Sequence, residues 1–153
     1  MPTRFQMEFT LPHRVDAVRR VMSDPAVIKA WETSQGALEV EVEERDDGCE
    51  VKVVRHAITV NGVDPSSTET VTAFVTWDPE EPIRRWKWKG SALFAISGRD
   101  LLIAEGRTTK LRLGASVASN VPSLGKPLEL RVREGFAEAW PRYVDLLKRH
   151  LRK

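Results

Sequence analysis

Three kinds of side chain in this sequence could do chemistry inside a fold: one arginine on an apolar strand, three histidines and five tryptophans. Arg55 is the most pointed of them. If Val51 and Val53 face an interior, strict alternation carries Arg55 inward with Ala57 and Thr59, where a guanidinium needs a carboxylate partner or an anionic ligand. A bulge near Val54 would instead turn Val54, His56 and Ile58 inward and leave Arg55 in water. The residues alone leave both arrangements open. His13, His56 and His150 are the only imidazoles, and none has a neighbour at metal-ligand spacing or a nucleophile motif beside it. Cys49 has no CxxC partner, and as the single cysteine it excludes an internal disulfide. Glu39, Glu41, Glu43 and Glu44 look like paired carboxylates, but alternation puts the first three on a wet face, where they solubilise. No glycine-rich phosphate loop, serine elbow or zinc spacing appears. The catalytic residues are therefore unknown, and neither a metal nor a cofactor is expected.

The tryptophans are Trp31, Trp77, Trp86, Trp88 and Trp140. A large indole buries much surface yet wants a partner for its N–H, which suits either ordinary core or a cavity wall holding an amphipathic ligand. Trp86 and Trp88 share a strand face by parity, and Phe136, Trp140 and Tyr143 share a helix face by spacing. With Trp31 and Arg55 they make the candidate ligand-binding set: Trp31, Arg55, Trp86, Trp88, Phe136, Trp140 and Tyr143. Ala92, Ala95, Gly114, Ala115, Gly135, Ala137 and Ala139 put small residues nearby, and such gaps are expected to leave Trp86, Trp88, Phe136 and Trp140 around a cavity. The run Arg84-Arg85-Trp86-Lys87-Trp88-Lys89 mixes cations with rings as single-strand nucleic-acid binders do. Parity separates the rings from most of the charges, so no nucleic-acid partner is expected.

The elements that must position these residues follow from period. Residues 4–11 alternate Phe5, Met7, Phe9 and Leu11 against polar neighbours, a half-buried strand. Pro12 then opens a short helix with Val15, Val18 and Met22 at helical spacing, and Ser23-Asp24-Pro25 caps and starts a second one to about Thr33. From Leu38 onward the period is two. A strand at 38–43 leads through Asp47-Gly48 to a return over 49–60, and Asn61-Gly62 and a longer loop at 63–67 precede a strand at 68–77. Strands at 83–89, 93–104 and 107–118 follow, with a bulge expected at Ser97-Gly98. Residues 121–153 close the chain as a long amphipathic helix through Leu128, Val132, Phe136, Trp140, Tyr143, Leu147 and Leu151. Pro141 removes one backbone donor and is expected to bend that helix without ending it.

At 153 residues the chain fits one domain, 1–153, with enough material for a substantial core. Charged residues make up 30% and balance to a net +2, so global charge points to no particular partner. The opening MPTRFQMEFT has neither the pattern of a secretion signal nor a membrane span, which leads to an expectation of a cytoplasmic protein with no integral membrane association. Antiparallel strands with one apolar face must bury it, and the long helix is the available cover.

This order, with the pieces "VDAVRRVMSDPAVIKAW", "VTWDPEEPIRRWKWKG" and "VPSLGKPLELRVREGFAEAW", resembles the START-like helix-grip superfamily. That group includes birch-pollen-allergen-like proteins, lipid-transfer domains and polyketide cyclase/dehydrases. The resemblance implies an α+β helix-grip fold, with a curved antiparallel sheet of about seven strands (β-α-α-β6-α) wrapped around the C-terminal helix. It also implies a cavity between them for a small hydrophobic ligand such as a lipid, sterol or polyketide. It carries no catalytic set. Two further functions stay open. One is a cyclase or dehydratase in the same cavity, with His56, Arg55 and Tyr143 as the only suppliers of a titratable group. The other is a protein-interaction or chaperone-associated module using the outer face. Neither ligand identity nor oligomeric state is legible here.

Overall fold

The computed structural model describes residues 2–121, 123 and 125–152. Pro122, Leu124 and Lys153, which fall within the helix expected over 121–153, lie outside them. Strand β1 (Thr3–Leu11) is followed by helices α1 (Val15–Ser23) and α2 (Pro25–Ser34). Six strands come next: β2 (Glu39–Arg45), β3 (Gly48–Thr59), β4 (Gly62–Trp77), β5 (Ile83–Lys89), β6 (Phe94–Glu105) and β7 (Thr108–Ser119). Helix α3 (Gly125–Leu151) closes the chain. The seven strands form one antiparallel sheet in the order β1-β7-β6-β5-β4-β3-β2, so every neighbour except β1 on β7 is a sequence neighbour. The architecture is α+β, with the curved sheet, two short helices and long final helix that the element order implied.

Local sequence accounts for most boundaries. Helix α1 begins at Val15, three residues after Pro12, once the chain has left β1. The Asp24 carboxylate accepts from Ala26 N–H at 2.9 Å and Pro25 fills the first turn of α2, a paired cap and start. The β2–β3 hairpin pairs Arg45 with Gly48, so Asp46 and Asp47 make the two-residue turn and Gly48 opens the next strand. Glycine is needed there because a Cβ would sit 1.8 Å from the Val75 carbonyl oxygen.

Two expectations for the strands change. No loop separates Asn61-Gly62 from the next strand, because β4 begins at Gly62. The register instead shifts between His56 and Ala57, with Thr68 opposite His56 and Asp64 opposite Ala57. The Asp64 carboxylate holds the surplus residues by accepting from Ser66 N–H, Ser66 Oγ and Ser67 Oγ. At Ser97-Gly98 pairing runs without a break to Lys87 and Trp86 on one side and to Ser116 and Ala115 on the other, so β6 has no bulge there. Gly98 serves packing: a Cβ would meet the Trp86 ring at 2.1 Å.

Helix α3 packs on β1, β7, α1 and α2, and α2 packs on β2. It runs through Pro141 to Leu151, as the unbroken apolar periodicity required. The main core joins Leu11, Val18, Met22, Leu111, Leu113, Trp140, Val144 and Leu147 beneath α3. A second cluster, Cys49, Val51, Val53, Val71 and Ala73, lines the inner face of β3 and β4. The two clusters share no buried residue. Because the Trp86 ring occupies the space over Gly98, Gly98→Ala forces an overpacked contact. A loss of about 1–3 kcal/mol is expected in urea unfolding, and an unchanged midpoint would contradict this packing.

Candidate functional site

Pairing decides the question left open at Arg55. The register irregularity falls after His56, so Arg55 keeps the inward parity of Val51 and Val53. Directly across on β4, Glu69 shares the parity of Val71 and Ala73, and its Oε1 accepts from Arg55 Nε at 3.0 Å. The pair is half-buried, with side-chain exposures of 30% and 15%. His56 takes the opposite parity, and its Nδ1 is buried without a hydrogen bond. Among the three suppliers considered for an interior titratable group, Arg55 and Tyr143 are therefore the inward ones.

A second ion pair lies further along the inner face. Arg84 and Asp100 stand opposite each other on β5 and β6, and Arg84 Nε donates to Asp100 Oδ2 at 2.8 Å. The Arg84 guanidinium also donates to the Met22 carbonyl at the end of α1 and to the Tyr143 hydroxyl on α3, both at 3.3 Å. Trp86 Nε1 donates to the remaining Asp100 oxygen at 3.4 Å. Burial pushes the Asp100 carboxyl up from its ordinary value while Arg84 pulls it down. Burial likewise raises the Tyr143 hydroxyl. Trp77, paired with Arg84 across β4 and β5, has the Arg19 guanidinium 4.7 Å from its ring centroid.

The seven candidate residues fall into separate groups. Phe136 lies 6.0 Å from Trp86 and 5.2 Å from Trp140 between ring centroids, and Phe5 lies 5.5 Å from both Phe136 and Trp140. Trp31 packs edge-on against Tyr143 at 5.1 Å. Trp88 belongs to the second cluster, on the side of the sheet interior that holds Arg55. The expectation that small residues leave a cavity around Trp86, Phe136 and Trp140 thus meets rings in contact. The reason is visible in one row of the register, Phe5-Ala115-Gly98-Trp86. Two large rings flank two small residues and lean over them.

Open space lies elsewhere. A cavity of about 640 Å³ opens between α1, α2, the β2–β3 turn and the β4–β5 turn. Met22, Ile28, Cys49, Val75 and Trp77 make its apolar wall, and Arg19, Glu44, Arg45, Asp46 and Asp47 stand among its polar lining. A second cleft of about 450 Å³ runs between α2 and α3 past Trp31, Gln35, Arg142, Asp145 and Arg149. Burial pushes the Cys49 thiol up, so the thiolate is disfavoured on the cavity wall.

No protein-family model matches the chain, and no curated protein matches it. Solved structures do. A protein from Thermus thermophilus superposes with a TM-score of 0.73 at 17% identity, over 97% of each chain. The Zhui aromatase/cyclase from Streptomyces sp. R1128 gives 0.73 at 13% identity, over 99% of this chain and 94% of that one. A START superfamily protein from Mycobacterium smegmatis gives 0.69 at 12% identity, over 97% of both. The fold is the START-like helix grip. At these identities the likeness is one of architecture. Among the described residues no helix is long and apolar enough to cross a membrane.

Glu32, Glu69, Arg84 and Asp100 are among the residues withdrawn from water that escaped the sequence reading. Parity with Val71, Trp86 and Leu102 would have found the last three. Glu32 lies one turn beyond Ile28 on α2 and is half-buried. Burial raises its carboxyl from the ordinary 4.5 to about 7, with Arg55 pulling the other way. A carboxyl raised in the fold binds its proton more tightly than in the unfolded chain. Its protonated form is thus favoured by folding, and stability falls as pH rises from 4.5 to about 7. Glu32→Gln should therefore melt higher than the parent at about pH 8 and no higher at about pH 4. Equal melting temperatures at both pH values would place Glu32 in water.

Proposed function

We propose that the protein binds one small, mainly apolar ligand between sheet and helices, entered from the α1–α2 end. The observation that carries this reading is the seam between the two clusters. Met22 and Trp77 of the main core, and Cys49, Ile28 and Val75 of or against the second cluster, line the same cavity of about 640 Å³. That volume lies within the range of roughly 300–1,000 Å³ of small-molecule sites, and an apolar wall with a polar mouth is their usual composition. The charged mouth orients an amphipathic molecule with its apolar body inward. None of the seven candidates read from the sequence is among the described residues that line this cavity, and Trp31 stands instead in the second cleft.

An enzymatic reading has one observation in its favour. An acid–base step needs a group that titrates near neutral pH, and the half-buried Glu32 carboxyl, raised to about 7 by burial, is such a group. Fold analogy to an aromatase/cyclase adds nothing about this chain's residues, so binding is the function proposed.

Cys49 makes the test direct, because it is the one cysteine and lies on the cavity wall. The neutral dye N-phenyl-1-naphthylamine should bind at micromolar concentration with one-to-one stoichiometry, and should slow labelling of Cys49 by a thiol reagent. Ile28→Trp should fill the cavity and weaken dye binding by about tenfold or more while thermal unfolding stays cooperative. If the dye does not bind, and neither it nor decanol changes the labelling rate, the ligand reading fails and the outer face becomes the place to look.

A further inference from the structure

We propose that the cleft between α2 and α3 is a second ligand site, separate from the α1–α2 cavity, and that it takes a flat aromatic carboxylate. The two openings share no lining residue, so this site stands or falls independently of the one above.

The shape and the apolar surface come first. At about 450 Å³ the cleft lies inside the range of roughly 300–1,000 Å³ of small-molecule sites. Trp31 and Leu146, both half-buried, supply its apolar surface. The Trp31 ring is held in place. It packs edge-on against the buried Tyr143 at 5.1 Å between centroids, and the Tyr143 hydroxyl accepts from Arg84 in turn. A ring fixed in this way offers an aromatic ligand a preset partner, since offset and edge contacts between rings add to simple burial. Trp31 Nε1 donates to no group among the described residues and is not sealed from water, unlike the Trp86 N–H that Asp100 takes up. One donor is therefore left open on a cleft residue.

The charges decide what else the ligand carries. Arg142 and Arg149 stand two turns apart on α3, about 10 Å along its axis, with Asp145 and Leu146 between them. Asp145 has the spacing to pair with either arginine. Among the described residues neither pair forms, and both exposed guanidinia keep their donors unengaged. Two cations thus face one carboxylate across the opening. The α2 side adds no charge, because Ser34 and Gln35 are neutral. Ser34 Oγ donates to the Trp31 carbonyl and Gln35 Nε2 donates to Ser34 Oγ. The last carbonyls of α2 are filled as well, those of Trp31 and Glu32 by Gln35 N–H and that of Thr33 by Gly36 N–H, which blunts the negative pole of the helix toward an anion. An arginine fork reads a carboxylate bidentately and also stacks on aromatic faces. A ligand that joins a ring to a carboxylate therefore meets both halves of the cleft. A cationic ligand would meet two guanidinia against one carboxylate, and a neutral ring would leave the arginines unused.

The probes are 1-naphthoate and its neutral counterpart 1-naphthalenemethanol, each titrated against the full chain by calorimetry and by the indole N–H resonances of isotopically labelled protein. Trp31→Phe assigns the Trp31 signal, and melting curves accompany every variant. Naphthoate should bind one-to-one, about fivefold or more tightly than the alcohol, and should move the Trp31 signal. Replacing both Arg142→Gln and Arg149→Gln should bring the two ligands to within about twofold, whereas Asp145→Asn should tighten naphthoate about twofold and leave the alcohol unchanged. Raising salt from about 0.05 M to about 0.5 M should weaken naphthoate alone. Should the double variant fail to fold, Asp145→Asn and the salt series decide, and an affinity unmoved by both overturns the site. Ile28→Trp fills the other cavity and should leave naphthoate binding as it is. If Ile28→Trp abolishes that binding, the ligand sits in the α1–α2 cavity and the cleft is refuted. Absence of binding, binding that leaves the Trp31 signal unmoved, or a preference for naphthoate that survives loss of both arginines refutes it equally.

Discussion

The buried Arg84–Asp100 pair is the constraint to which most of this structure answers. Side-chain exposures of 13% and 3% mean that both charges have left water, at a cost of several kcal/mol per ion unless geometry and extra hydrogen bonds offset it. The extra bonds come from three directions. Trp86 donates to the second oxygen of Asp100, and the guanidinium spreads its donors over the Met22 carbonyl and the Tyr143 hydroxyl. One ion pair therefore ties β5 and β6 to the end of α1 and to the middle of α3. Loss of either partner would strand a buried charge and cost about 3–5 kcal/mol. Tyr143 also packs edge-on against Trp31 of α2, at 5.1 Å between ring centroids.

That tie explains where the core closes and where it does not. Helix α3 is anchored over β1 and β7, and the rings of Phe5, Trp86, Phe136 and Trp140 complete the packing beneath it. The inner face of β3 and β4 lies outside that anchorage and forms its own apolar cluster, edged by the partly exposed Ile28, Val75 and Trp88. Strand β5 divides between them, since Trp86 joins the main core and Trp88 the second cluster. A sheet curved enough to face one helix at one end leaves a wedge of space at the other. The cavity at the α1–α2 end is that wedge, and Arg19, Glu44, Arg45, Asp46 and Asp47 are among its polar lining.

Much of the fold was legible because period is a local property. Alternation in residues 4–11 and 38–43, the Asp24-Pro25 start and the apolar spacing through Leu147 each report a face to be buried, whatever it is buried against. Alternation was also sound where it was followed through. Arg55 does share the inward parity of Val51 and Val53. It went unfinished at Asp100 and Arg84, where a charged residue on an inward position reads as a surface residue until its partner on the adjacent strand is known. The irregularity at residues 63–67 was legible only as turn chemistry. Its resolution into a held-over stretch of β4 depends on Asp64 capping Ser66 and Ser67.

By itself the sequence determined the element order, the inward faces and the absence of any disulfide within the chain, since these depend on residue type and on spacing over a few residues. Tertiary structure alone decided which inward residues meet. Ala115 suggested a gap and Gly98 a bulge, yet pairing at Gly98 is unbroken, the Trp86 ring lies over it, and Phe5 and Trp86 flank the two small residues in one row. Glu32 was not singled out on its helix, and it is the packing around α2 that half-buries it and raises its carboxyl to about 7. Pairing, void and desolvation are sums over segments far apart in the chain, and no local pattern encodes them.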